Sequence, residues 1–341
     1  MLASNAPAIL TGNFPAEQRG RAFGLSSMMT YLGLTLGPSL GGWLAQVFSW
    51  RAIFYINVPV GIIAFVLSLV CIPNGEPNES NQKFDLAGAA LFLAGLVALM
   101  LGLNQGAEWG WTSPPILGLL LAAILILTVF VFTEKRLTAP MLDLKLFHVP
   151  LFSASVASAV LNYICVYTIT FLMPYYLIQG RGLNPAQAGL LLTAEPIIMA
   201  IAAPISGNFS DRIGSRWPGM VGMALMSLGL FLMASLSPAT PLFIAAIALA
   251  VAGLGTGTFI SPNTSAIMGA APKQRQGIAS GIQAAARNTG MVLGIGLAGA
   301  IFTTHLAMGT SDALYQGIDM GFLAAALVAV FGIFMSAIKE K

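Results

Sequence analysis

Ten runs of predominantly apolar residues dominate the chain, at about 22–48, 52–73, 86–104, 115–133, 151–178, 186–206, 218–236, 241–268, 277–303 and 318–338. Each approaches or exceeds the roughly 20 residues that a helix needs to cross a hydrocarbon layer about 30 Å thick. Inside lipid the backbone must satisfy its own hydrogen bonds, so a run of this length has to become a helix. Charged residues make up 8% of the chain, whereas soluble domains carry about 25%. The expected fold is therefore an all-α integral membrane protein of about ten transmembrane helices. Residues 1–12 contain Pro7 and are too short to span, so they read as a helical stub, the tail of a helix that began earlier.

The loops assign an orientation. Twelve of the 15 Lys and Arg residues fall in one set of alternating loops and at the C-terminus, and only Arg51 and Arg181 fall in the opposite set. Loops rich in Lys and Arg stay in the cytoplasm, so the C-terminus is expected there, in a multi-pass protein of the cell membrane. The formal charge of +3 comes with no basic patch interleaved with aromatics, which gives nucleic acid no footing. Cys71 and Cys165 lie in apolar runs and read as packing residues. His148 and His305 lack metal-ligand partners, so no metal site is expected.

Gly33–Gly42 reads Gly-Leu-Thr-Leu-Gly-Pro-Ser-Leu-Gly-Gly. Gly33, Gly37 and Gly41 recur every four residues and so share one helix face, which lets another helix approach closely. Pro38 removes a backbone donor and is expected to bend the helix. Residues 14–42 also align without a gap to residues 271–299, with identities that include Pro15/Pro272, Gly20/Gly277, Gly24/Gly281, Gly33/Gly290 and Gly37/Gly294. The paired segments run in the same direction, and parallel repeats of this kind build one large class of transporters. The later copy follows eight spans after the first. A six-span repeat therefore leaves two extra spans between the halves.

Several stretches carry a family likeness. The Gly33–Gly42 segment, Trp50-Arg51-Ala52-Ile53-Phe54-Tyr55-Ile56-Asn57-Val58-Pro59-Val60-Gly61, Pro140-Met141-Leu142-Asp143-Leu144 and Gly207-Asn208-Phe209-Ser210-Asp211-Arg212-Ile213-Gly214-Ser215-Arg216 resemble signatures of the major facilitator superfamily, specifically its fourteen-span drug:proton antiporter branch. The resemblance implies an antiporter motif at Gly33, Gly37, Pro38, Gly41 and Gly42. It implies a cytoplasmic gate loop at Gly207, Asp211, Arg212, Gly214 and Arg216, which locks the gate through charge and helix-end contacts. It also implies three parts: residues 1–73 as the end of an N-terminal bundle, 74–150 as two linking spans with a loop, and 151–341 as a C-terminal six-helix bundle. The family's first helix, first-half loop signature and fourth-helix arginine have no counterpart, so the chain reads as N-terminally truncated. The missing spans would be needed for a complete transporter.

Glu195 is the one carboxylate well inside a run, about 13 Å deep at 1.5 Å per residue. An intramembrane carboxylate is a functional-site hypothesis by default. It could couple proton entry to substrate exit, or be a protonated group held by a neighbouring helix beside Pro196. Arg287, the only basic residue inside a run, could contact substrate or snorkel to the surface. Asn162, Tyr163, Tyr167 and Asn263 join Arg287 as possible cavity lining, and Tyr163 and Tyr167 share a face by their spacing. Asp319, near the start of the last run, reads as a solvated cap.

The expected function is export of small hydrophobic or cationic compounds by alternating access. The proton gradient is the energy source, and no cofactor is expected. Two alternatives stand beside it: a truncated, non-transporting membrane protein or subunit, and an exporter of one specific metabolite. No nucleophile–base set or phosphate loop points to an enzyme.

Overall fold

The computed structural model describes residues 2–71, 85–137, 144–309 and 312–338. Among these residues the secondary structure is helical, without a strand. A short helix α1 (Leu2–Asn13) precedes α2 (Arg19–Val47), α3 (Ala52–Tyr55) and α4 (Asn57–Cys71). Two hairpin helices follow, α5 (Leu86–Trp109) and α6 (Pro114–Arg136). The rest comprises α7 (Pro150–Pro174), α8 (Pro185–Leu192), α9 (Ala194–Ile213), α10 (Arg216–Met233), α11 (Leu242–Ala270), α12 (Gln276–Leu306) and α13 (Ala313–Ser336).

Eight stretches of the described residues are helical, long and apolar enough to cross a membrane. Eight of the ten expected runs correspond to them. The other two differ for physical reasons. Helix α2 has 29 residues, ample length, but its glycines, serines and threonines dilute its hydropathy. The run at 52–73 breaks at Ile56 into α3 and α4, leaving a shorter apolar helix at Asn57–Val70. The run at 186–206 is interrupted at Thr193 between α8 and α9. Pro196 lacks the N–H that would have bonded the Leu192 carbonyl, and the turn tightens there. Helix α13 starts at Ala313 with Asp312 as its N-cap. Asp319 is consequently in the second turn and partly buried, not a cap.

From α7 onward the helices form one bundle. Helix α7 packs on α12 and α13, α10 on α13 and α11, and α9 on α11. Its core joins Leu172 at the end of α7 and Tyr176 of the π-helical turn that follows it to Met226 and Leu230 of α10, Leu249 of α11 and Phe322 of α13. Cys165 is part of that core; its thiol donates to the Ala325 carbonyl at 3.4 Å. The hairpin α5–α6 leans on α12, where Leu103 meets Gly296 and Trp111 Nε1 donates to Thr304 Oγ1 at 3.1 Å. Helix α2 lies against α9 and α11, and α1 against α12 and α11.

The repeat has a structural counterpart. A 3₁₀ turn at Ala16–Gln18 leads into α2, and one at Lys273–Arg275 leads into α12, at the same spacing as the sequence alignment. Pro15 and Pro272 hold the same extended conformation before each turn, with φ −63° and −56°. At that offset α1 corresponds to the last 12 residues of α11. The segment Pro140–Leu144 used for the family likeness lies largely outside the described residues.

Candidate functional site: the crossing of α2 and α9

Helix α9 carries two faces. Ala200, Ala203, Gly207 and Asp211 recur at three- and four-residue spacing and meet α2. Small residues make the approach close enough for backbones to touch. A Cβ placed on Gly24 would lie 2.7 Å from the Ala203 carbonyl and from the Pro204 Cα. Gly20 and Gly207 face each other more tightly still, each against the other's carbonyl. At this end the Asp211 carboxylate accepts the Gly20 N–H at 2.7 Å and the Arg21 N–H at 2.9 Å. Those amides belong to the first turn of α2, where helix geometry leaves N–H groups without intrahelical partners. A carboxylate there is further favoured by the positive end of the helix dipole. Asp211 thus caps a helix 190 residues away in sequence. Gly214 ends α9 with φ +82°, a conformation that favours glycine.

Among the described residues, a Cβ placed on Gly33 or Gly37 would meet nothing within 4 Å, although α2 continues through both. The close approach lies further towards the N-terminus, at Gly20 and Gly24. Pro38, Gly41 and Gly42 fall within the helical span of α2; their surroundings lie outside the described residues.

Above the crossing sits Glu195, in the first turn of α9 just after the break at Thr193. It is 8% exposed, and its Oε1 has no hydrogen-bond partner among the described residues. The α11 backbone presses on its carbonyl at Gly253, where a Cβ would come within 2.5 Å. Tyr31 of α2 is buried against Met199, Ala200 and Ala203 of α9 and Ile260 of α11. Its hydroxyl lies within electrostatic reach of Glu195 and of Tyr163. Tyr163 in turn feels Arg287 and Tyr167. Glu195, Tyr31, Tyr163, Tyr167 and Arg287, from α2, α7, α9 and α12, are thus related by electrostatic reach, pair by pair, and not by a hydrogen bond among the described residues. Arg287 is exposed and makes no hydrogen bond or ion pair with the described residues.

Asn162 and Asn263 do not join this group. Asn162 Nδ2 donates to Met223 Sδ at 3.5 Å, inside the α7–α10 contact. Asn263 Nδ2 donates to the Ser155 carbonyl at 3.1 Å, and its Oδ1 accepts from Ser158 at 3.1 Å. Both asparagines tie helices of one bundle together. Tyr31 is a candidate that sequence reasoning misses. The only signal for it is an aromatic hydroxyl near the middle of a span.

The sequence profile described as Major Facilitator Superfamily matches residues 1–161 and 155–340. The chain belongs to this superfamily. It is 33% identical over 301 residues to the multidrug resistance protein Stp of Mycobacterium tuberculosis, covering 88% of this chain and 56% of that protein. It is 33% identical over 306 residues to the riboflavin transporter RibZ of Clostridioides difficile, covering 90% of this chain and 66% of the relative. A tetracenomycin C resistance and export protein of Streptomyces glaucescens is 30% identical over 307 residues, with 90% and 57% covered. The chain spans between about half and two thirds of the length of these relatives. Its superfamily is one of transporters rather than of enzymes.

Proposed function

We propose that the protein carrying this chain exports small hydrophobic compounds, cations among them, in exchange for protons, as a member of the fourteen-span drug:proton antiporter branch. The observation that carries this reading is the Glu195 carboxylate, buried in the first turn of α9 with Oε1 unpartnered among the described residues and within electrostatic reach of Tyr31. A carboxylate enclosed by helices from both sides of the α2–α9 crossing can hold a proton while the substrate path is closed and release it when the helices part. Coupling alternating access of two bundles to protons uses a titratable group near the midplane site. The resistance and export proteins among the relatives support the direction of transport and the substrate class.

Asp211 supplies the gate in this reading. Its two bonds to the first turn of α2 hold the bundles together at one end, and opening there requires breaking both. The basic residues Arg212 and Arg216 support a cytoplasmic position for that end, in a protein of the cell membrane. Tyr163, Tyr167 and Arg287 line the substrate path in this reading.

The test uses the full-length protein in inside-out vesicles with an imposed ΔpH and ethidium as substrate. Glu195→Gln abolishes ΔpH-driven accumulation while leaving substrate binding within about threefold of wild type. If Glu195→Gln still accumulates ethidium against its gradient, Glu195 is not the coupling group. If the wild type exchanges substrate without responding to ΔpH, proton coupling itself is wrong.

A further inference from the structure

Inside the bundle, helices α7, α10, α11 and α13 leave a small polar cleft. Its walls include Ser155 and Ser158 of α7, Arg216 in the first turn of α10, Asn263 of α11 and Ser336 at the end of α13. About 20 Å3 is open to the centre of a water-sized occupant, where one water needs about 10–15 Å3. The space fits one water or one ion of similar size. It is too small for sulfate, phosphate or an organic molecule.

The hydrogen-bonding capacity of the cleft is one-sided. Its acceptors are taken. The Ser155 carbonyl accepts from Asn263 Nδ2 at 3.1 Å. Ser158 Oγ shares its proton between that carbonyl and Asn263 Oδ1, 3.1 Å from each. The donors are left over. Arg216 Nε and the Ser336 hydroxyl are buried without a hydrogen-bond partner among the described residues. The Ser155 hydroxyl, on a residue 6% exposed, makes no hydrogen bond among them either. The Arg216 guanidinium lies over the Trp217 ring, 5.8 Å from its centroid, a contact that offers its Nε–H no acceptor. Among the described residues no carboxylate lines the cleft, and Asp211, five residues before Arg216, is engaged with α2. The end of α13 brings carbonyls nearby, but those of Phe334 and Met335 are bonded by the Ala337 N–H. A positive group and spare hydroxyl donors reject a cation. Water satisfies the N–H but leaves the buried charge uncompensated, and buried charges are normally paired.

We infer that this cleft binds one small monovalent anion of the size of chloride, which accepts from Arg216 Nε and from the Ser155 and Ser336 hydroxyls. The ion ties α7, α10 and α13 together at the end of the bundle that carries Arg216. The site lies within one bundle and depends neither on Glu195 nor on proton coupling.

The experiment follows thermal unfolding of the full-length protein in neutral detergent while sodium chloride replaces sodium gluconate at constant ionic strength. Constant ionic strength holds screening fixed, and gluconate is too large for the cleft. A ligand that binds only the folded state raises stability with the logarithm of its concentration above Kd. The melting temperature is therefore expected to rise with chloride, and the curve gives an apparent affinity. A hydrogen bond to a charged group is worth about tenfold or more in affinity, and one from a neutral hydroxyl about fivefold. Arg216→Gln is expected to weaken chloride at least about tenfold, and Ser336→Ala about fivefold. Ser336→Ala keeps the charge and carries the test if Arg216→Gln does not fold. A wild-type melting temperature indifferent to chloride means that water or a carboxylate such as Glu340 fills the cleft, and overturns the inference. A chloride effect of wild-type size in the variants places the anion elsewhere and overturns it equally.

Discussion

The two ends of α2 have the same kind of sequence and opposite surroundings. Gly20 and Gly24 are four residues apart and meet the α9 backbone. Gly33 and Gly37 are also four residues apart, and open space surrounds them among the described residues. A glycine face permits close approach but does not attract a partner by itself. Contact forms where the opposite helix is also small, at Ala203 and Gly207, and where a polar anchor fixes the crossing. Asp211 is that anchor, and among the described residues nothing equivalent is bonded to the Gly33–Gly37 segment.

The largest test of this contrast is Gly207→Val. The new side chain has to displace the Gly20 carbonyl, and overpacking of this kind typically costs about 1–3 kcal/mol, occasionally more. Thermal unfolding in detergent is expected to show a cost at or above the top of that range, whereas Gly33→Val in the same chain changes little. A similar loss from both would erase the distinction between the two ends. Asp211→Asn comes next. Removing the charge from an acceptor of two backbone bonds is expected to cost about 1.5–3 kcal/mol. In full-length protein the variant also shifts accessibility, so that a cysteine placed near Arg21 reacts faster with a water-soluble maleimide. Unchanged labelling would reduce Asp211 to a structural cap.

Inside the bundle, Ser158→Ala removes one of the two bonds that hold Asn263. The expected cost is about 1 kcal/mol, with substrate affinity unchanged. Tyr163→Phe inverts that pattern, with little change in stability and a change in transport of at least about twofold. A matching stability loss in both variants would place Tyr163 among the packing residues. The smallest effect belongs to Gly33→Ala. Alanine is the better helix former by up to about 1 kcal/mol, so this chain gains a few tenths of a kcal/mol by the same thermal measurement. A loss in the full-length protein, against a gain in this chain, would locate a covering helix at Gly33.

Much of the candidate site is visible in the sequence as residue types without their partners. Glu195 stands out because a carboxylate inside an apolar run is rare, and Pro196 beside it marks where the helix breaks. The Asp211 loop stands out by its likeness to a family signature. Tyr31 does not, because an aromatic hydroxyl in a span has no pattern that separates a site residue from packing. Polarity groups Asn162 and Asn263 with Tyr163, yet Asn162 and Tyr163 are adjacent in α7 and therefore point about 100° apart around a helix of 3.6 residues per turn.

The sequence by itself determined that the chain is a stack of membrane helices, roughly where each begins, and that two of them are copies. Hydropathy and repeat are properties of the chain read along its length, and in lipid the backbone has no alternative but to bond within each span. Which glycines touch a neighbour, that Asp211 caps α2, and that Tyr31 packs against Ala200 and Ala203 of α9 are visible only in the tertiary structure. Those contacts join residues far apart in the chain. Their geometry depends on how whole helices cross, which no local pattern of residues specifies.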